Sequence, residues 1–122
     1  MLYNQNWDKD SIPSILNRAA DILETRGHIK GALHRRGSGF CAIGAIMSAA
    51  GLDDTTIAEG GWGFAALMGE KDRIKDVAQV VANTITDIGM LSPLIHWNNA
   101  TDRTGAEVAA KFREVASTYV TA

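Results

Sequence analysis

Cys41-Ala42-Ile43-Gly44-Ala45-Ile46-Met47-Ser48-Ala49-Ala50 is apolar on almost every side when wound as a helix. A helix that is apolar all round normally forms the buried centre of a domain. The segment therefore predicts a central helix over 41–50. Gly44, Ala45, Ala49 and Ala50 have little side-chain volume, so neighbouring helices can approach closely. Gly51 ends the segment. Just upstream, Arg35-Arg36-Gly37-Ser38-Gly39-Phe40 is a basic turn with a glycine hinge.

Helices separated by glycine flank this core. Ile12, Ile15, Leu16, Ala19, Ile22 and Leu23 follow helical spacing, with Arg18, Asp21, Glu24 and Arg26 on the other face. Asp10 or Ser11 can cap that helix, Pro13 suits its first turn, and Gly27 stops it. From Glu70 to Ile88 a second stripe runs through Ile74, Val77, Ala78, Val81, Ile85 and Ile88. Thr104-Gly105-Ala106-Glu107 matches a capping box. The last helix then carries Val108, Phe112, Val115, Ala116 and Tyr119. Asp53, Asp54 and Thr55 are cap candidates for a short piece between.

His28 to Phe40 has no helical period. Alternation of Ile29, Gly31 and Leu33 with Lys30, Ala32 and His34 predicts an extended arm or short hairpin, turning at Arg36-Gly37-Ser38-Gly39. Leu91 to Trp97 contains Pro93 and is short. It reads as extended and packed near the arm. The expected fold is mainly α: one domain over 1–122, with four to five helices and one small extended arm or hairpin.

Composition bounds the function. The chain has 122 residues and a formal net charge of -2. That balance argues against a protein coating nucleic acid or an anionic membrane with its whole surface. No apolar run reaches the roughly 18 residues of a membrane span. The start, Met1 to Asp8, lacks the pattern of a signal peptide. One cysteine cannot form an internal disulfide, which points to a reducing, cytoplasmic compartment. Charge is segregated along the chain. Arg26 to Phe40 holds Arg26, Lys30, Arg35, Arg36 and two histidines without an acid, whereas Cys41 to Gly60 holds Asp53, Asp54 and Glu59 without a base.

Candidate chemistry is thin. Cys41 near a helix N-terminus, downstream of Arg35 and Arg36, favours thiolate, with His96, His28 or His34 as base and Asn98 or Asn99 as orienter. Cys41, His96 and Asn98 are the catalytic candidates. Against them, free cysteine is among the most buried residue types and packs as a small apolar side chain. His28, His34, Cys41 and His96 match no usual metal spacing, so no metal and no cofactor are expected. Gly37-Ser38-Gly39 before a helix suggests an anion nest, yet fits neither phosphate-loop pattern; a plain flexible turn is the simpler reading. Trp62 in Gly60-Gly61-Trp62-Gly63-Phe64 either presents an anchor to a partner or closes the core. Trp97 reads as core, and Asn98 and Asn99 as turn residues that tie loops together. Basic residues with Trp7 or Trp97 also permit nucleic-acid contact, though the acidic remainder opposes it.

Several stretches, taken in order, carry a resemblance. They are Glu24-Thr25-Arg26-Gly27, Lys30-Gly31-Ala32, Phe40-Cys41-Ala42-Ile43-Gly44-Ala45-Ile46, His96-Trp97-Asn98-Asn99, Arg103-Thr104 and Glu107-Val108. The layout resembles a family of small uncharacterised proteins of bacteriophages and actinobacteria, patterned RGW-x-KGA, CALGA, WND and RT-x-EEV. His28 stands where the pattern has an aromatic, and Asn99 where it has Asp. The resemblance implies a helical domain of bacterial or phage origin and brings no activity with it. The resulting expectation is a non-enzymatic accessory protein that binds a macromolecule, more readily a protein than a nucleic acid. Its contact residues would be Lys30, Arg35, Arg36, Gly37, Ser38, Gly39, Trp62 and Trp97. The alternatives are a cysteine-centred enzyme or small anionic-ligand binder using Cys41, His96 and Asn98, and a weak nucleic-acid binder.

Overall fold

The structure is a computed structural model that describes residues 11–60, 71–86 and 90–119. The first helix, α1, spans Ile12–Arg26. Ser11 caps it, its hydroxyl accepting from the Ser14 N–H at 3.3 Å. Pro13 lies in the first turn, where the missing donor has no intrahelical partner to lose. Ile15, Leu16, Ala19, Ala20 and Leu23 are buried against the core.

The chain leaves α1 at Gly27, with φ at 104°. It then forms a two-stranded antiparallel hairpin of β1 (His34–Arg35) and β2 (Gly39–Phe40), in register His34 to Phe40 and Arg35 to Gly39. β2 also pairs back to the end of α1. The Phe40 N–H donates to Gly27 O at 3.1 Å, and the Ile29 N–H donates to Phe40 O at 3.0 Å. Gly39 (φ 119°) meets Gly27 here. A Cβ on Gly39 would stand 2.3 Å from the Gly27 carbonyl carbon, so no other residue fits this crossing.

The apolar segment forms α2 (Ala42–Ala49), with all but Ser48 buried. Cys41 is its N-cap. Asp53 caps the short α3 (Asp54–Ala58), its carboxylate accepting from the Thr56 N–H at 2.8 Å. α4 (Lys71–Ile85) buries Ile74, Val77, Ala78, Val81 and Ala82. α5 spans Ser92–Asn99 and α6 Gly105–Ser117. At the start of α6, Thr104 and Glu107 form the reciprocal capping box. α6 packs mainly on α1, α1 on α2, and α5 on α4. One apolar cluster joins α1, α2, α4 and α6 through Leu16, Ile46, Val77 and Phe112.

The protein is thus mainly α with one small hairpin, as its periodicity predicts. Six helices lie among the described residues, against four to five expected. The extra one corrects the reading of Leu91 to Trp97 as extended. Pro93 falls in the first turn of α5, where it is tolerated, and the N–H groups of Leu94 and Ile95 reach Leu91 O. Eight residues carry too weak a periodic signal to be distinguished from a strand, and tertiary contacts stabilise this helix. The readings placed on Gly61, Trp62, Gly63 and Phe64, on Glu70 and Ile88, and on the first ten residues lie outside the described residues. Among the described residues no helix is long and apolar enough to cross a membrane.

Candidate functional site

The unusual residues converge on the N-terminus of α2. A buried helix must satisfy its first N–H groups without water. Here a distant element does so. Asn98, in the last turn of α5 and 2 % exposed, accepts the Ala42 N–H on Oδ1 at 2.9 Å. Its Nδ2 donates to Ile29 O at 3.2 Å and to Asn99 Oδ1 at 3.1 Å. His28 Nε2 lies 2.8 Å from the same Asn98 Oδ1. Since Asn98 Nδ2 is committed as donor, Oδ1 is the acceptor, and His28 carries its proton on Nε2. One amide therefore joins α5, the arm and α2.

The arm is fixed to α5 at two further points. Lys30 Nζ donates to Ala100 O at 2.5 Å and to Thr101 O at 2.9 Å. The Gly31 N–H donates to Asn99 Oδ1 at 3.1 Å. The Cys41 N–H donates to Leu33 O at 3.1 Å, and that carbonyl presses against α2: a Cβ on Gly44 would stand 1.9 Å from it. The opposite end of α2 is closed from α1. Arg18 Nε and Nη2 donate to Ala49 O at 3.1 and 2.6 Å.

Cys41 is half-buried, and its sulfur accepts the Gly44 N–H at 3.4 Å. Burial raises its pKa above the ordinary thiol value, outweighing the lowering by the backbone N–H groups of Gly44 and Ile43. The expectation of a thiolate favoured by the helix end is reversed, because desolvation acts more strongly than the dipole. His96, the proposed base, is exposed on α5 and is not among the residues lining the cleft at Cys41. Asn98 does stand at that cleft, but its hydrogen-bonding capacity is consumed by the fold. His28 rather than His96 is the histidine that meets it. Among the described residues no three His, Cys, Asp or Glu side chains converge as a metal group.

The basic arm has a different environment from the one its sequence suggests. Arg26 pairs with Asp54 of α3 through both guanidinium nitrogens, Nη1 to Oδ1 at 3.2 Å and Nη2 to Oδ2. The Asp54 carboxyl is held below its usual range by Arg26 first, and also by His34 and Arg36. The acid-free and base-free stretches of sequence therefore face each other in the fold. The Phe40 ring carries both cationic and aromatic neighbours. Arg26 Cζ lies 4.9 Å from its centroid, and the buried His34 ring stacks on it at 4.1 Å. His34 Nδ1 bonds Gly39 O at 2.6 Å.

Of the predicted contact residues, Arg35, Arg36, Gly37 and Ser38 are exposed at the hairpin tip, and Gly39 is buried against Gly27. Neither Arg35 nor Arg36 makes an ion pair among the described residues. The N–H groups of Ala42 and Gly44 are already taken by Asn98 and Cys41, so Gly37-Ser38-Gly39 leads into no open helix N-terminus. Trp97 is half-buried under Arg103, whose Cζ lies 4.1 Å from its ring and whose Nε donates to Trp97 O at 3.0 Å. Trp62 lies outside the described residues. The sequence marked Asn98 but missed its role as the junction. An Asn near a predicted turn has an ordinary local use, and nothing local signals partners about 56 and 70 positions away.

A model of a family of unknown function, DUF6197, matches residues 8–118. The chain belongs to DUF6197. For this DUF6197 member, comparisons with curated proteins and with solved structures give no match. The match covers the whole assembly that closes the two ends of α2.

Proposed function

We propose that this DUF6197 protein is a non-enzymatic binding module whose contact surface is the tip of the hairpin. One observation carries this reading. Arg35 and Arg36 are exposed and without an ion pair among the described residues, whereas Arg26, Lys30, Arg103 and Arg113 are all engaged within the fold. The groups that would suit catalysis are absorbed in structure: the Cys41 thiol caps α2 and Asn98 joins three elements.

The partner we infer is an acidic macromolecule, a protein of the bacterial host or of a phage, met in the cytoplasm. Two arginines on a short hairpin give a small cationic patch, enough to orient an acidic protein surface. Nucleic-acid binding would call for a longer basic track. Trp62 and Trp97 remain candidate apolar contacts.

The test is a comparison of the wild-type chain with Arg35→Glu/Arg36→Glu as bait in bacterial lysate, with and without phage infection. The expected result is a specific partner recovered by wild type and lost with the charge reversal. An equal recovery by both proteins would refute the hairpin surface. A salt-sensitive gel shift with DNA or RNA that the reversal abolishes would replace the protein partner by nucleic acid.

A further inference from the structure

A cleft lies between the arm and α5, and Arg35 of the hairpin approaches it at Gly31. It has a volume of about 220 Å³ and is walled by Leu33, Ile43, Leu94 and Ile95, with Cys41 at its side. Ile95 is 46 % exposed, one of two large apolar side chains so placed among the described residues. The interior therefore favours an apolar occupant.

The rim presents donors. Asn99 lines the cleft, and its Oδ1 accepts from both the Gly31 N–H and Asn98 Nδ2 at 3.1 Å. Those two bonds fix the orientation of the amide, leaving Nδ2 as the other end. That Nδ2 has no hydrogen-bond partner among the described residues. Gly31 also lines the cleft, and Arg35 Nη2 lies 3.9 Å from where a Gly31 Cβ would stand. The Asn99 amide lines the cleft, the Arg35 guanidinium approaches it at Gly31, and no carboxylate is among the cleft-lining residues. Both groups can only donate, so they select an acceptor, and a charged acceptor above a neutral one.

We propose that this cleft binds a small monocarboxylate with a compact apolar body. The apolar part lies against Ile43, Leu94 and Ile95, and the carboxylate meets Asn99 Nδ2 and Arg35. An apolar cavity of about 150 Å³ holds benzene. A single ring or a branched chain of similar size therefore suits this one. The site needs no macromolecular partner and so goes beyond the binding surface proposed above.

The test uses the full isotope-labelled chain in two-dimensional NMR titrations with phenylacetate, phenylacetamide and acetate. Phenylacetate is expected to give saturable shifts at the Gly31, Ala32 and Ala42 amides and at the Asn99 side-chain N–H₂. Phenylacetamide should bind about tenfold more weakly, and acetate should not saturate. Arg35→Ala should weaken phenylacetate about tenfold and leave phenylacetamide unchanged. Arg35 is exposed, so that variant keeps the fold, and its spectrum verifies this in the same experiment. The absence of saturable shifts with phenylacetate would overturn the proposal. So would shifts centred away from the cleft, or an Arg35→Ala variant that binds the carboxylate as wild type does. The titration contains no partner protein, so its failure leaves the hairpin reading intact. Loss of the partner-binding result likewise leaves this titration unaffected.

Discussion

Asn98 bonds four groups with one side chain, and three of them, the Ala42 N–H, the Ile29 carbonyl and His28 Nε2, have it as their side-chain partner in a buried or half-buried setting. Removing it strands the Ala42 N–H, the Ile29 carbonyl and His28 at once. A buried polar group left unpaired costs about 1–3 kcal/mol. Asn98→Ala is therefore expected to destabilise the fold by about 3 kcal/mol or more, as read from urea denaturation. Asn98→Asp should be damaging as well, since a carboxylate cannot donate to Ile29 O; wild-type stability in that variant would show that the amide is not the junction. Cys41 makes a second prediction. Its folded pKa is raised, so the neutral thiol is the form the fold stabilises. The unfolded chain ionises first, near the ordinary thiol value of about 8.5. The stabilising contribution is complete below that value and is lost as pH rises toward the folded one. Native Cys41 should react slowly with a thiol reagent at neutral pH and rapidly in urea. Fast labelling of the folded chain would contradict a thiol held in its neutral form by desolvation.

At the scale of elements, α2 depends on others for its ends, whereas α6 carries its own start. Cys41 is a poor substitute for a hydroxyl or carboxylate cap, and the added closure of α2 comes from Asn98 and Arg18. α6 begins with Thr104 Oγ1 accepting the Glu107 N–H at 3.1 Å while Glu107 Oε1 accepts the Thr104 N–H at 2.9 Å. Thr104→Ala should lower stability by about 1 kcal/mol, and Thr104→Ser should be close to neutral. Thermal melts of both variants check this; equal losses would mean that the threonine methyl, not the hydroxyl, matters. This self-contained cap is why the start of α6 was legible in four residues. The start of α5 was not. It has no side-chain cap, begins after Leu91 and contains a proline, and its existence depends on packing against α4 and on the arm.

For the whole molecule, exposed ion pairs join elements that are distant in sequence. Arg113 of α6 reaches Asp21 and Glu24 of α1 at 2.7 and 2.6 Å, and Arg26 reaches Asp54. Glu24, Asp54 and Glu107 are each held below the usual carboxylate range, by Arg113, by Arg26 and by the Thr104 N–H respectively. Asp53 is lowered by the Thr56 N–H. A lowered folded value means that the contribution is present above the unfolded pKa of about 4 and is lost as pH falls through the folded one. The melting temperature should therefore decline below about pH 4, and added salt should reduce the part due to ion pairs. A midpoint independent of pH down to acid would show that these pairs contribute nothing. The basic arm belongs to this scale too. Its apparent excess of charge is partly met by α3 through Asp54, while Arg35 and Arg36 stay exposed at the hairpin tip.

What the sequence determined by itself is the set of helices with strong local signals and the identity of the core. The apolar run of α2, the stripes of α1, α4 and α6, the stops at Gly27 and Gly51 and the Thr104 cap all follow from spacing within one or two turns. The hairpin was also legible, because Arg36 to Gly39 has turn chemistry and no helical period. Tertiary structure alone decided that α5 is a helix, that Asn98 and not His96 meets the N-terminus of α2, and that burial overrides the helix end at Cys41. It also placed Asp54 opposite Arg26, and Asn99 against Gly31 of the arm. Each of these is a pairing across dozens of residues. Hydrogen bonds and desolvation act through space over a few ångströms, and a local pattern carries no record of which distant group will arrive there.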